Sequence, residues 1–154
     1  PHERLKEALG EWDATMRMGM PGATGKPMES KGSAKATWFV EGKWLQLDTS
    51  YSMMGQSIQH RTMLGYDNFK QRYVASMVDS LQTAMNTSSG LFTQSGDDLI
   101  LWGTIDEPIT PEQDKMVKYV YRGFGQDKWK LEIHDMMIGE SNTQVLEFEF
   151  TRKK

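Results

Sequence analysis

The residues that could carry out chemistry in this sequence are few, and histidine is the scarcest of them. The chain contains three histidines, which are His2, His60 and His134. A histidine beside a carboxylate can move protons near neutral pH, because the imidazole titrates in that range. The strand pattern described below turns His60 inward, together with Asp79 and Asp135. These three side chains are the candidates for acid–base chemistry.

The same inward polar groups would orient a ligand inside a mostly apolar cavity. The predicted ligand-binding residues are Met18, Tyr51, His60, Met77, Asp79, Asp135 and Met137. The alternative is a hydrogen-bonded cluster without a ligand, because buried polar groups must be paired. Arg61 would face inward instead of His60 if the preceding turn were one residue longer.

Methionine is concentrated in or beside four loops, at residues 19–32, 53–57, 79–82 and 138–143. Of the 12 methionines in the chain, those in or beside these loops are Met18, Met20, Met28, Met53, Met54, Met136 and Met137. Methionine is unbranched and polarizable, so one end of a barrel lined with it would adapt to apolar ligands of varied shape. The alternative is that these side chains fill loop cores or face solvent.

Soft-metal chemistry is suggested by the spacing Met16-x-Met18-x-Met20, which places three thioethers on one face of a strand. Such a set would suit Cu(I), although an inward methionine row is equally typical of a barrel core. The three histidines have no spacing typical of a zinc pair. We therefore predict no metal and no other cofactor.

The elements that must position these residues are almost all strands. Residues 2–9 place Leu5, Ala8 and Leu9 at helical spacing before Gly10, which predicts one short helix. The runs typical of strands are residues 11–18, 33–40, 43–53, 57–65, 71–79, 82–94, 97–105, 115–123, 128–137 and 143–152. About ten short strands are typical of an antiparallel barrel or sandwich.

Cross-strand chemistry predicts the register of three hairpins. A turn at Glu41-Gly42 gives the pairs Trp38–Leu45, Ala36–Leu47, Ala34–Thr49 and Lys35–Asp48. A turn at Gly55-Gln56 gives the pairs Leu47–Leu64, Thr49–Thr62 and Tyr51–His60. A loop at 139–142 gives the pairs Ile133–Phe148, Leu131–Phe150 and His134–Glu147, with His134 on the outer face.

A family resemblance rests on motifs spread along nearly the whole chain. A Gly-x-Trp at the start of the first strand and an arginine at the end of the last resemble the lipocalin (calycin) arrangement. More closely, the chain resembles a bacterial family known as domain of unknown function 1579. The matching pieces are His2-Glu3-Arg4-Leu5 with Gly10-Glu11-Trp12, Gly42 with Trp44, Gly65-Tyr66-Asp67, Tyr73 through Asp79-Ser80, and Thr151-Arg152. The resemblance implies a lipocalin-like barrel with no established activity.

The expected fold is a closed antiparallel lipocalin-like β-barrel of about eight to ten strands with a short N-terminal helix. We expect Trp12, Trp129 and Arg152 to form a structural plug at one end of the barrel. A guanidinium over an indole combines cation–π attraction with burial of the arginine stem. The alternative is that these residues touch a ligand.

Length and composition exclude several classes of function. The 154 residues fit a single domain over 1–154, and a net charge of -3 predicts no nucleic-acid partner. No apolar run reaches the ~20 residues that a membrane span needs. Cysteine is absent, which leaves the compartment open between the bacterial cytoplasm and export with a signal peptide removed.

Three hypotheses for function follow from these observations. The first is a module that binds a small, largely apolar molecule inside the barrel. The second is an enzyme that uses His60 with Asp79 or Asp135 at the mouth of the barrel. No catalytic residue is assigned for it, because the sequence shows no nucleophile motif or oxyanion device.

The third hypothesis is a barrel without a cavity ligand that works through its outer face. Phe39 and Trp44 would then form a protein contact such as a homodimer interface. A core filled by aromatic side chains favours this hypothesis over the other two. The aromatic residues expected in such a core are Trp38, Tyr73, Trp102 and Tyr121.

Overall fold

The computed structural model describes residues 1–19, 26–107, 112–136 and 143–154. The helical residues are α1 (His2–Leu5) and a 3₁₀ turn (Lys6–Ala8). The strands are β1 (Gly10–Met18), β2 (Met28–Val40), β3 (Trp44–Met53), β4 (Gln56–Asp67), β5 (Arg72–Asp79), β6 (Asn86–Phe92), β7 (Leu99–Glu107), β8 (Glu112–Arg122), β9 (Lys128–Asp135) and β10 (Thr143–Arg152). None of the described helices is long and apolar enough to cross a bilayer.

The strands form a closed antiparallel barrel in which each strand pairs with the next and β10 pairs with β1. The predicted all-β barrel with a short N-terminal helix is therefore confirmed. Closure follows from the two ends of the chain meeting, since Trp12 on β1 lies opposite Arg152 on β10. Every described strand has two hydrogen-bonded neighbours, so the sheet presents no free edge.

Alternation of side chains along each strand separates the core from the outer wall. On β1, Trp12, Ala14 and Met16 are buried, whereas Glu11 and Asp13 on the alternate positions are exposed. The same period of two continues around the barrel, where inward apolar side chains meet in one core. The sequence pattern and the sheet geometry therefore specify the same inner face.

Arg152 closes one end of the barrel by contacts with the start of the chain. Its guanidinium carbon lies 4.1 Å from the centre of the Trp12 ring. Its Nη1 donates to the carbonyl of Leu9 at 2.8 Å, and its Nη2 donates to the carbonyls of Glu7 at 2.8 Å and Gly125 at 3.1 Å. One side chain thus joins the helical segment, β1, β10 and the turn between β8 and β9.

Gly10 is required beneath this arginine for two reasons. Its φ of +128° lies where residues with a side chain are strained, and a Cβ atom there would stand 3.1 Å from Nη1 of Arg152. Two residues later, Nε1 of Trp12 donates to the carbonyl of Ala8 at 3.0 Å. The Gly-x-Trp motif therefore gives the guanidinium room to approach and anchors the indole to the helical segment.

Trp129 lies beneath Trp12 and continues the aromatic packing into the core. The two rings are 5.8 Å apart in an edge-to-face arrangement, and Trp129 stacks on Phe150 at 4.2 Å. The Trp129 side chain is buried, and its Nε1 atom has no hydrogen-bond partner among the described residues. We use the name plug for Trp12, Trp129 and Arg152.

The first predicted hairpin register is correct. Trp38 lies opposite Leu45 and Lys35 lies opposite Asp48, as expected for a short turn between β2 and β3. The ion pairs nevertheless differ from that pairing. Lys35 pairs with Glu11 on β1 at 3.3 Å, and Asp48 accepts hydrogen bonds from Arg61 on β4.

The second predicted register is wrong by two residues. Leu45, rather than Leu47, lies opposite Leu64. The turn occupies Met54 and Gly55, whose φ angles are +51° and +79°, instead of Gly55-Gln56. Two positive φ angles match the twist of the flanking strands, and this turn forms although methionine is unfavourable there.

The third predicted register is also wrong by two residues. Phe150 lies opposite Trp129, not Leu131, because the two aromatic rings stack. His134 does lie on the outer wall, but its Nε2 contacts Glu132 at 2.9 Å rather than Glu147. The shift leaves the inward and outward faces unchanged.

Ion pairs cover the outer wall where β10 meets β9. Glu132 and Glu147 are register partners and both are buried. Arg122 binds Glu132 at 2.8 Å, while Arg17 and Lys130 bind Glu147 at 2.8 and 3.1 Å. Burial opposes ionisation of Glu132, but hydrogen bonds from Arg122 and a histidine outweigh it and lower the pKa of Glu132. Cations from several strands thus stabilise two adjacent carboxylates.

Replacing Arg152 by methionine is predicted to destabilise the fold. The variant loses the cation–π contact and leaves three carbonyls without their donor, which together cost about 3 kcal/mol. The free energy of unfolding in urea measures this loss. Lys153→Met is the matched control, because Lys153 is adjacent and its ammonium group lies 3.7 Å from Asp13. Equal stability of the two variants would contradict the role assigned to Arg152.

Candidate functional site

The barrel end opposite the plug brings three inward polar side chains together on neighbouring strands. Tyr51 lies near the end of β3, His60 near the start of β4 and Asp79 at the end of β5. His60 and Asp79 are direct register partners, and Tyr51 lies opposite Ile58, two residues before His60. We call the space that Tyr51, His60 and Asp79 border the mouth.

His60 faces inward and Arg61 faces outward, which settles the alternative left by the sequence. The Arg61 guanidinium binds Asp48 on the outer wall through two hydrogen bonds. A shift of two residues in the β3–β4 register keeps the parity of the strand. The side chains expected to face inward therefore do so even though their cross-strand partners changed.

His60 lies in surroundings that disfavour its charged form. Burial lowers the pKa of His60, and the nearby Asp79 carboxylate opposes this shift without reversing it. The ring also packs against Phe148, with 5.6 Å between ring centres, and its Nε2 lies 3.5 Å from Oγ1 of Thr62. The imidazole is therefore neutral at neutral pH and can accept a hydrogen bond.

Tyr51 is buried and keeps its proton. Burial, with a smaller contribution from the Asp79 carboxylate, raises the pKa of Tyr51 to about 12. Its ring meets Phe148 edge to face at 5.4 Å. The protonated phenol can both donate and accept a hydrogen bond.

Asp79 links the mouth to the loop that follows β5. Its Oδ1 accepts the backbone N–H of Leu81 at 2.8 Å, and its Oδ2 accepts Nε2 of Gln82 at 3.4 Å. An ionised carboxylate has about four acceptor positions, so these bonds leave further capacity. Asp79 is thus both a turn-forming residue and a charge at the mouth.

Phe148 separates the mouth from the core below it. It lies on β10, yet its ring contacts Tyr51 on β3 and His60 on β4. On the strands between them the small residues Ala14 and Gly32 are register partners, and Gly32 lies opposite Tyr51, so no large side chain on these two positions separates the rings. A ligand entering from this end would meet an aromatic floor at the level of Phe148.

The opposite wall of the barrel carries a separate ion pair. Asp135 on β9 is buried and binds the ammonium group of Lys115 at 2.8 Å, and Lys115 also binds Glu112 at 3.1 Å. β9 lies five strands from β4 in the ten-strand ring. The three candidate acid–base residues therefore do not all lie together: His60 and Asp79 are neighbours on one wall, and Asp135 is on the opposite wall.

The predicted methionines have mixed positions. Met77 is buried, and Met18 and Met53 pack against the core at the mouth end. Met54 is 89% exposed at the tip of its turn. Met137, predicted as a ligand contact, and Met20, the third residue of the copper hypothesis, lie outside the described residues. No group of three or more His, Cys, Asp or Glu in the described ranges is placed to hold a metal ion.

Sequence reasoning missed three residues that matter at this end. Lys115 is two residues before Val117 on β8, so both side chains face inward. The alternation of β8 in the sequence could have predicted this. Ser88 on β6 is buried, and its Oγ has no hydrogen-bond partner. Phe148 had the correct face, but its contacts with Tyr51 and His60 cross the barrel and leave no trace in local pattern.

The outer wall holds one aromatic residue that the sequence misplaced. Trp102 is 47% exposed and borders a groove of about 450 Å³ with Leu91 and Ile100, instead of filling the core. Phe39 and Trp44 are both exposed, as expected, and the Trp44 ring lies over Gly65, where a Cβ atom would approach it to 2.5 Å. Trp44 therefore packs mainly on its own sheet.

The titration of His60 is a direct test of this electrostatic picture. In NMR spectra the pKa of His60 is predicted to lie below the ordinary histidine value, because burial disfavours the cation. Asp79→Asn removes the charge that raises it, so the pKa of His60 should fall further. The His60→Gln variant assigns the resonance. A pKa that does not change in Asp79→Asn would contradict the proximity of the two side chains.

Stability provides the second measurement for the same prediction. Because His60 is harder to protonate in the folded chain than in the unfolded chain, the unfolded state binds more protons below the ordinary histidine pKa. The free energy of unfolding should therefore decrease as the pH falls through that range, and it should decrease less in His60→Gln.

Comparison with known proteins supports the architecture. The fold is similar to the crystal structure of Rv2717c from M. tuberculosis, with 16% sequence identity and a TM-score of 0.72. That similarity covers 100% of this chain and 98% of the other. No curated protein matches the sequence significantly. The family model described as "Protein of unknown function (DUF1579)" matches residues 1–152, and the chain therefore belongs to this family.

Proposed function

We propose that this protein binds a small, largely apolar molecule at the mouth of the barrel. Lipocalin-like barrels of similar size hold one small ligand in their interior, and we assign this chain the same mode of action. The proposal places the ligand among Tyr51, His60 and Asp79, above the ring of Phe148. The proposed contact set also includes Met18, with Asp135 on the facing wall, whereas Met137 lies outside the described residues.

The observation that carries the proposal is the convergence of three polar side chains in otherwise apolar surroundings. Tyr51 and His60 both have pKa values displaced by burial, and both experience the charge of Asp79. Ligand sites typically combine an apolar lining with a few polar groups whose pKa values are perturbed. The Tyr51 hydroxyl keeps its proton because its pKa is raised, so it adds a donor and an acceptor to this set.

The aromatic core limits how deep the ligand reaches. Trp129, Phe148 and Phe150 are buried, and their rings contact one another in sequence from the plug upwards. Interiors packed in this way leave little space for a guest. We therefore place the ligand near the strand ends, where it is partly enclosed by side chains of the mouth.

Methionines at the mouth would adapt to the apolar part of the ligand. Met77 is buried beside Thr62, its register partner, and Met18 and Met53 are partly buried at the strand ends. Thioether side chains are flexible and polarizable, so they can repack around different shapes. We therefore expect the site to recognise the polar end of the ligand and to accept ligands whose apolar parts differ in shape.

Binding of N-phenylnaphthylamine, a neutral apolar molecule that fluoresces strongly in apolar surroundings, tests the proposal. We expect saturable binding to the intact chain. Met18→Gln and Met53→Gln should each weaken it about threefold to fivefold, because an amide replaces a thioether at a contact contributing ~1 kcal/mol. Fluorescence titration measures the Kd of each variant.

Trp102→Ala is the matched control, because it removes an apolar side chain from the outer groove instead of from the mouth. The expected Kd of this variant equals that of the unmodified chain. If Trp102→Ala weakens binding while both methionine variants bind normally, the probe occupies the outer wall and the proposed function is wrong.

A further inference from the structure

The charges at the mouth end of the barrel are unequal. Its described carboxylates include those of Glu29, Asp79, Asp106, Glu112, Asp114 and Asp135, and its described cations include those of Arg17, Lys26, Lys31 and Lys115. Lys115 is held between Glu112 and Asp135, at 3.1 and 2.8 Å, so its charge is already balanced. This end therefore carries a negative potential that attracts cations and repels anions.

The three polar groups of the mouth form a set of hydrogen-bond acceptors. The Asp79 carboxylate, the neutral His60 imidazole and the Tyr51 phenol oxygen can each accept one hydrogen bond. A primary ammonium group carries three N–H donors and no acceptor, so it matches this set. The rings of Tyr51 and Phe148, 5.4 Å apart, add faces that attract a cation.

The hydroxyl of Ser88 points independently to a missing partner. Ser88 is 7% exposed, and its Oγ has no hydrogen-bond partner among the described residues. Ser88 lies opposite Ala75 on β5, one inward position below Met77. A buried hydroxyl without a partner is unfavourable, so this group favours a bound molecule with a polar atom.

We infer that the ligand of the mouth is an organic amine, with a protonated nitrogen bound by Asp79, His60 and Tyr51 and an apolar body among the methionines. The inference rests on the proposed function and adds the chemical class of the ligand. An anionic amphiphile is disfavoured, because its carboxylate would lie beside Asp79 while Lys115 is occupied by Asp135. Removal of a charge from water near a like charge is strongly unfavourable.

Competition among three molecules with the same apolar chain tests the inference. Octylamine, octanol and octanoate are added at neutral pH to the chain carrying bound N-phenylnaphthylamine. We expect octylamine to displace the probe at about tenfold lower concentration than octanol, the ratio typical of one favourable charge interaction, and octanoate to be the weakest competitor. Asp79→Asn should remove most of the advantage of octylamine over octanol.

Asp106→Asn is the control for this substitution. It removes one negative charge at the same end of the barrel, but Asp106 is exposed and its Oδ1 binds the backbone of Asp114. The preference for octylamine should persist in this variant. Loss of the preference in both variants would show a general field effect and would overturn the assignment of Asp79 as the ammonium ligand.

The possible failures are distinguishable. If octanol and octylamine compete equally, or octanoate competes best, the amine inference is wrong while the proposed binding function stands. If N-phenylnaphthylamine does not bind, or none of the three molecules displaces it, the proposed function is wrong and the amine inference falls with it.

Discussion

The guanidinium of Arg152 and the indole of Trp12 bring together residues that are 140 positions apart, and the shape of the barrel depends on this contact. It fixes β1 against β10 and, through the carbonyls of Glu7 and Gly125, fixes the helical segment and the β8–β9 turn to the same point. One end of the barrel is thereby filled by protein. The other end carries the inward polar side chains Tyr51, His60 and Asp79.

Polar groups inside the barrel are not all paired. At the plug the arginine binds carbonyls and the Trp12 indole donates to Ala8, but Nε1 of Trp129 and the hydroxyl of Tyr121 are buried without a partner among the described residues. On β6 the hydroxyl of Ser88 is buried in the same way. Such groups cost about 1–3 kcal/mol each when unsatisfied, so the packing and ion pairs of the barrel must offset this cost.

The period of two predicted the strands of the barrel, and the helical spacing of Leu5, Ala8 and Leu9 predicted the short helix. The period alone left open whether His60 or Arg61 faces inward. It was insufficient for register, because a shift by two residues keeps every side chain on its face, and aromatic stacking such as that of Phe150 on Trp129 decides between the two registers. Trp102 was misplaced because β7 is apolar on both faces over Leu99–Trp102. The contacts of Phe148 with β3 and β4 cross the barrel, so no local pattern reports them.

The closure of β10 against β1 has a consequence for how the chain acquires its structure. Nine of the ten strand pairs join strands that are consecutive in the sequence. The tenth pair, β1 with β10, can be completed only after residue 152 has left the ribosome. Until then the first strand has an unpaired edge and Trp12 lacks its covering cation. Contacts between such distant segments slow folding. The nascent chain therefore passes through a state in which the sheet is open and the edge of β1 is exposed, before β10 closes the barrel.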